Sequence, residues 1–295
     1  MPVITTENLV KTFGRVRALD GLDLTVEQGQ VHGFLGPNGS GKSTTIRILL
    51  GLMRHDSGHA TLFGRDPWRD AVDLHRRLAY VPGDVVLWPG LTGGQCIDVL
   101  AHAYGSIDTA RRDDLVQRFE LDPTKKARSY SKGNRQKVSL VAAVATHAEL
   151  LILDEPTSGL DPLMERVFQD VIAERKQEGT TVLLSSHILG EVEALADSVS
   201  IIREGRLASS GTLTDLRRHT RSHVHAVTNT RPAIPAGADM RAAEVDGRFE
   251  LNGSVDAEHV PDMVASLHAA GVHTLTVTPP SLDDLFLRNY ETGQR

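Results

Sequence analysis

Apolar positions fall into two different patterns along this chain. Near the start they alternate: from Leu22 through Val26 every second residue is apolar, the mark of a strand with one buried face, and 3–14 also begins as a strand. Further on the apolar residues form short continuous runs at 30–35, 60–64, 78–81, 150–153 and 180–187. Unalternating runs of that length fit strands covered on both faces, as in a parallel sheet. Between them, 44–50, 66–77, 91–104, 109–119 and 135–147 read as helices, Asp56-Ser57-Gly58-His59 as a turn and Tyr130-Ser131-Lys132-Gly133-Asn134 as a loop. The stretch 156–162 turns into a further helix and 199–207 reads as a hairpin. Strands alternating with helices predict an α/β domain, with a helical insert over about 85–147. Composition shifts near residue 220. Strands at 224–227, 242–245, 249–251 and 275–277 and helices at 260–270 and 282–290, the last capped by 278–281, predict a small α+β domain. The expected division is therefore 1–218 and 219–295.

The run at 30–35 leads into Gly36-Pro37-Asn38-Gly39-Ser40-Gly41-Lys42-Ser43, which has the Walker A pattern. Backbone N–H groups can wrap a triphosphate only where side chains are small or absent. Lys42 brings a point charge to the outer phosphates, Ser43 offers a hydroxyl for Mg²⁺, and the helix beginning near Thr44 favours an anion at its N-terminus. Strand, loop and helix stand in the required order, which argues against a chance glycine-rich turn. The run 150–153 ends in Asp154 and Glu155, at the end of the strand where open α/β sheets bind ligands. Asp154 there suits Mg²⁺, and Glu155 suits an attacking water; a helix-capping acidic pair is the plainer alternative. His187 ends the last long apolar run, beside the same region, and fits a contact to the γ-phosphate or water. Phe13 precedes a glycine in a polar setting. It is either a ring for stacking on a base or an ordinary strand-end aromatic.

The chain has 295 residues and a net charge of −6, which gives it no overall nucleic-acid footprint. The basic cluster Arg217-Arg218-His219 with Arg221 reads as a solvated helix end. Cys96 is the single cysteine, so no internal disulfide forms, and a small core residue is the preferred reading. The N-terminus lacks a basic-then-apolar signal plan. No apolar run approaches the ~20 residues needed to span a bilayer. A soluble cytoplasmic chain is expected, with any membrane role exerted through a partner.

With these pieces in order, residues 3–218 resemble the ATP-binding subunits of ABC transporters. The resemblance implies a P-loop ABC ATPase core with an antiparallel β subdomain and helical insert, followed by the small C-terminal domain. It makes Phe13 the base-stacking aromatic, 36–43 Walker A, 150–155 Walker B with Glu155 as catalytic glutamate, His187 the switch histidine, and Ser158, Gly159, Leu160 and Asp161 the D-loop. Tyr130-Ser131-Lys132-Gly133-Asn134 is similar to the family's signature loop, from which Lys132 and Asn134 depart; Ser131 and Gly133 keep the groups that face a phosphate in trans. Gly83-Asp84 stands where the family has a glutamine. Either Asp84 substitutes as a metal contact or it merely caps the next segment. The ending at 280–287 is similar to that of drug-export and antibiotic-resistance subunits.

The resemblance implies ATP and Mg²⁺ as ligands, a sandwich dimer with a second copy or a similar subunit, a separate membrane permease, and residence on the cytoplasmic face of the membrane. It implies no nucleic acid, and a cargo contacted mainly by the permease. Two other readings share the motifs: a soluble ABC-type ATPase of translation or DNA repair, and an ATP-switched regulatory protein. One Walker A, no sustained heptads and one cysteine speak against the first. Intact Asp154, Glu155 and His187 speak against the second.

Overall fold

The computed structural model describes residues 1–218 and 221–278. The chain forms two compact units, one of residues 1–210 and the other from Gly211 on. The division thus falls earlier than residue 218. Elements of the first unit, in order, are β1 (Pro2–Phe13), β2 (Val16–Glu27), β3 (Val31–Leu35), α1 (Lys42–Leu49), β4 (Ser57–Leu62), α2 (Ala71–His75), β5 (Leu78–Val81), α3 (Gly93–Ala103), α4 (Thr109–Arg118) and α5 (Lys132–Val144). They continue with β6 (Leu150–Asp154), α6 (Pro162–Gln177), β7 (Thr181–Ser186), α7 (Leu189–Leu195), β8 (Ser198–Arg203) and β9 (Arg206–Thr212).

Two sheets result. β2, β1 and β4 pair antiparallel, with the apolar face packed over Phe34, Ile46 and Leu49 in one core. The larger sheet runs β5-β6-β7-β3-β8-β9. Its central strands β3, β6 and β7 are buried at every position, which is why their sequences show no alternation. They are parallel, with Leu35 opposite Ser186 and Asp154 opposite Ser185. Three carboxyl ends therefore meet at one edge, and the loops that follow them emerge together. A two-residue turn with left-handed Glu204 and Gly205 (φ 50° and 77°) returns β8 into β9, as hairpin turns require.

In three places the structure departs from the pattern reading. Ser57-Gly58-His59 is not a turn but the start of β4, recruited by pairing of Ser57 with Val10 and His59 with Glu7 across a register shift. The helix expected over 66–77 shrinks to α2. Residues 66–70 form a separate turn, closed by the Asp70 N–H on the Asp66 carbonyl at 2.9 Å and capped by the Asp66 carboxylate, which accepts the backbone N–H groups of Trp68 and Arg69 at 2.8 and 3.1 Å. Conversely α5 begins at Lys132 rather than Arg135, because Ser131 caps it by accepting the Asn134 N–H at 3.3 Å.

The second unit contains α8 (Leu213–Arg218), β10 (Arg221–Thr228), β11 (Ala238–Val245), β12 (Arg248–Asp256), α9 (Val260–Ala269) and β13 (Val272–Thr278). Its four strands form an antiparallel sheet, β11-β12-β10-β13. Met263 and Leu267 of α9 pack on Val224, Ala226, Leu251 and Val255. The expected cap at 279–281, the helix at 282–290, the ending at 280–287 and His219 lie outside the described residues. Among the described residues no helix is long and apolar enough to cross a membrane.

Candidate active site

The edge where β3, β6 and β7 end collects most of the residues that the sequence singled out. Residues 36–41 leave β3 and turn into α1 through Gly41, whose φ of 115° makes a left-handed cap. Close packing fixes the residue type at Gly36 as well: a Cβ there would lie 2.4 Å from the Ile202 carbonyl oxygen. Pro37, Asn38 and Gly39 form the open side of the loop, while Ser40 is buried beneath it. Thr44 lies in the first turn of α1.

The Lys42 side chain is buried, at 5% exposure, and its ammonium donates to the carbonyls of Gly36 and Pro37 at 2.6 and 3.2 Å. Burial pushes its pKa down, and the nearby charges of Glu155 and Asp154 oppose that shift. These carbonyls are the loop's own groups, so the ammonium is held where an anion in the loop would meet it. Ser40 Oγ is buried and has no hydrogen-bond partner among the described residues. Asp154 is also buried; one carboxylate oxygen accepts from Ser43 Oγ at 3.1 Å and the other from Ser185 Oγ at 2.6 Å. A hydroxyl and a carboxylate at that separation are hard oxygen donors of the kind Mg²⁺ takes. The donor set fits a phosphate bound with that ion.

Glu155 follows directly and adopts a left-handed conformation, φ 48°. For a non-glycine residue this is uncommon and is sustained by surrounding bonds. Here its N–H donates to the Ser185 carbonyl at 3.0 Å, and its own carbonyl accepts the Ser158 N–H at 3.1 Å. The turn aims the carboxylate at His187, whose Nδ1 lies 3.0 Å from Glu155 Oε1. Both side chains are partly open to solvent. An acid and an imidazole in contact can hold and move a proton from water.

Other residues take different places. Phe13 ends β1 with 45% exposure and Lys11 Nζ stands 5.6 Å from its ring centre. Ser131 is exposed at the start of α5. Lys132 reaches across to Ser158 Oγ at 2.7 Å, and Gly133 packs so closely on Gly159 that a Cβ would stand 2.3 Å from its carbonyl oxygen. The segment 131–134 and the turn 158–161 of one chain are thus in direct contact. Leu160 is half-buried, and Asp161 caps α6 by accepting two N–H groups at 3.0 Å. At the family's glutamine position it is Gly83 that lies beside the site, its virtual Cβ 3.2 Å from the Asp154 carbonyl oxygen. Asp84 is exposed and lines a cavity with Val85, Leu87, Arg128 and Arg135. Ser185, Thr157 and Glu191 escaped the sequence reading. They carry no motif spacing of their own, and only the fold shows what they hold.

The chain is similar to several known proteins. A family model described as "ABC transporter" matches residues 19–158. The daunorubicin resistance ATP-binding protein DrrA3 of Streptomyces coeruleorubidus is 36% identical over 96% of this chain and 94% of its own length. The bacitracin transport ATP-binding protein BcrA of Bacillus licheniformis is 36% identical over 97% of this chain and 96% of its own. Among solved structures, an ATP-binding subunit of an ABC transporter superposes with a TM-score of 0.69 at 33% identity, covering 73% of this chain and 92% of that one. The phosphate loop, the acidic pair and these near full-length relatives place the chain in the ABC transporter family, among its ATP-binding, ATP-hydrolysing subunits.

Proposed function

We propose that this subunit powers a separate membrane permease that exports a drug, antibiotic or other hydrophobic compound. The observation that carries the chemistry is the 3.0 Å contact between Glu155 and His187 at the strand edge that also presents Lys42 and Asp154. In this reading Glu155 accepts a proton from, or orients, the attacking water, and His187 steadies the carboxylate and the γ-phosphate. Lys42 leaves the Gly36 and Pro37 carbonyls for the outer phosphates, which the backbone of 36–43 wraps, and Phe13 stacks on the base. Ser43 and Asp154 would hold Mg²⁺, which supplies neutralisation of phosphate charge.

A second copy, or a similar subunit, completes the site. Ser131, Lys132, Gly133 and Asn134 open α5 and would turn the N-terminus of that helix toward the nucleotide of the facing subunit. ATP then favours the closed pair, and hydrolysis releases it, because the two states bind the nucleotide differently. The permease is reached through the insert: Val86 and Trp88 are exposed, and the neighbouring cavity carries Arg128 and Arg135. Peripheral attachment to the inner face of the membrane follows from that contact. Relatives named for daunorubicin resistance and bacitracin transport support export over a role in translation or DNA repair.

Reconstitution tests the proposal. The chain and a candidate permease would be placed together in inverted vesicles with daunorubicin or bacitracin as cargo. ATP-dependent accumulation, lost with Glu155→Gln, is expected. ATP turnover that the permease leaves unchanged, with no cargo movement, would overturn it.

A further inference from the structure

Glu155 and His187 sit on different loops, each just past the end of a strand, and their contact needs both loops held in register. One carboxylate touches both. Glu191, on α7, is 8% exposed and has two hydroxyl donors. Thr157 Oγ1 donates to its Oε1, and Ser186 Oγ donates to its Oε2 at 2.8 Å. Thr157 stands two residues after Glu155, and Ser186 one residue before His187. Both are themselves buried, at 6% and 1% exposure. Ser186 Oγ also accepts the Ile188 N–H at 2.9 Å, which fixes the backbone on the far side of His187.

A carboxylate removed from water needs such donors, since its desolvation is otherwise costly, and hydrogen bonds to a charged acceptor are the strong ones. Glu191 contacts none of the groups that face the phosphates; Lys42, Ser43 and Asp154 are held by the Gly36 and Pro37 carbonyls and by Ser185. Its two bonds lead only to the segments carrying the acid and the imidazole. We propose that Glu191 is a positioning residue that clamps these two segments together and so sets the Glu155–His187 spacing, separately from nucleotide binding. This rests on the reading of that pair as the group acting on water.

The chemistry of the clamp predicts an asymmetric mutation pattern. Glu191→Ala strips both hydroxyls of their partner. Glu191→Gln keeps the length, accepts from one hydroxyl and donates to the other, because a hydroxyl can do both. A misplacement of about 1 Å in a reacting pair can cost up to ~10²-fold, so kcat in Glu191→Ala should fall by roughly 10-fold to 10²-fold. ATP affinity and KM should not move, and Glu191→Gln should recover most of the rate. Thr157→Val, which keeps the shape and loses one bond, should fall between wild type and Glu191→Ala; it also serves if Glu191→Ala fails to fold by circular dichroism.

All variants would be measured on the full chain for steady-state ATPase and nucleotide binding, with Glu155→Gln alongside. Unchanged kcat in folded Glu191→Ala or Thr157→Val, while Glu155→Gln is inactive, would overturn the clamp and leave the active-site reading standing. Loss of ATP affinity in step with kcat would also overturn it. Full activity of Glu155→Gln would instead remove the reading on which the clamp rests.

Discussion

His32 lies in β3, four residues before the phosphate loop, and is buried to 2% exposure. Its two ring nitrogens meet Ser198 Oγ at 2.9 Å and Ser200 Oγ at 3.0 Å. Burial lowers its pKa from 6.5 to about 4. The unfolded chain therefore takes up this proton first as the pH falls. The stability tied to the neutral ring is complete above about pH 6.5 and is lost progressively toward pH 4, where the folded ring also protonates. Between pH 7.5 and 5.5 the loss from this one group is about 1.3 kcal/mol, and it approaches about 3 kcal/mol at pH 4. His32→Gln retains a hydrogen-bonding end without a titrating ring. Both tryptophans, Trp68 and Trp88, belong to the first unit, so their fluorescence follows its unfolding in urea. Wild type should lose about 1.3 kcal/mol more than His32→Gln over that pH interval. Equal losses would show that the ring beside the phosphate loop is not held neutral by burial.

Three further outcomes follow from the packing around the site. Gly36→Ala forces a Cβ to 2.4 Å from the Ile202 carbonyl; it should cost about 1–3 kcal/mol and weaken ATP binding, and unchanged affinity would contradict the fit of the loop. Ser131→Arg should leave the nucleotide affinity of the single subunit intact and abolish ATP-driven dimerisation in sedimentation, whereas loss of affinity itself would place Ser131 in the wrong site. Asp84→Ala should leave the Mg²⁺ dependence of hydrolysis unchanged, since Gly83 lies against Asp154 while Asp84 is exposed in the cavity with Arg128 and Arg135; a shifted Mg²⁺ requirement would make Asp84 a metal contact after all.

Much of this was readable from residues alone, for identifiable reasons. The central strands are unalternating because the sheet is covered on both faces, and that habit placed Leu150–Asp154 and its acids correctly. The phosphate loop was legible because its glycines, lysine and serine stand at a specific spacing, part of which close packing at Gly36 also demands. What was hidden depends on side chains that take over backbone bonds. Asp66 caps a short turn over 66–70, which stands apart from α2 where a single helix was expected. Ser131 draws a helix three residues beyond its apolar pattern, so the expected signature loop is the first turn of α5. Glu191 is an acid on a short helix, indistinguishable in sequence from the neighbouring Glu193, and only the return of β7 beside β6 brings Thr157 and Ser186 to it.

In the proposed mechanism Glu155, beside His187, acts on the water that cleaves ATP. Steady-state hydrolysis by the purified chain and by Glu155→Gln, with ATP affinity determined on the same preparations, tests it most directly. Turnover should fall at least ~10²-fold, the scale for losing a positioned general base, while affinity stays at the wild-type value. Near-normal turnover in Glu155→Gln would contradict the account.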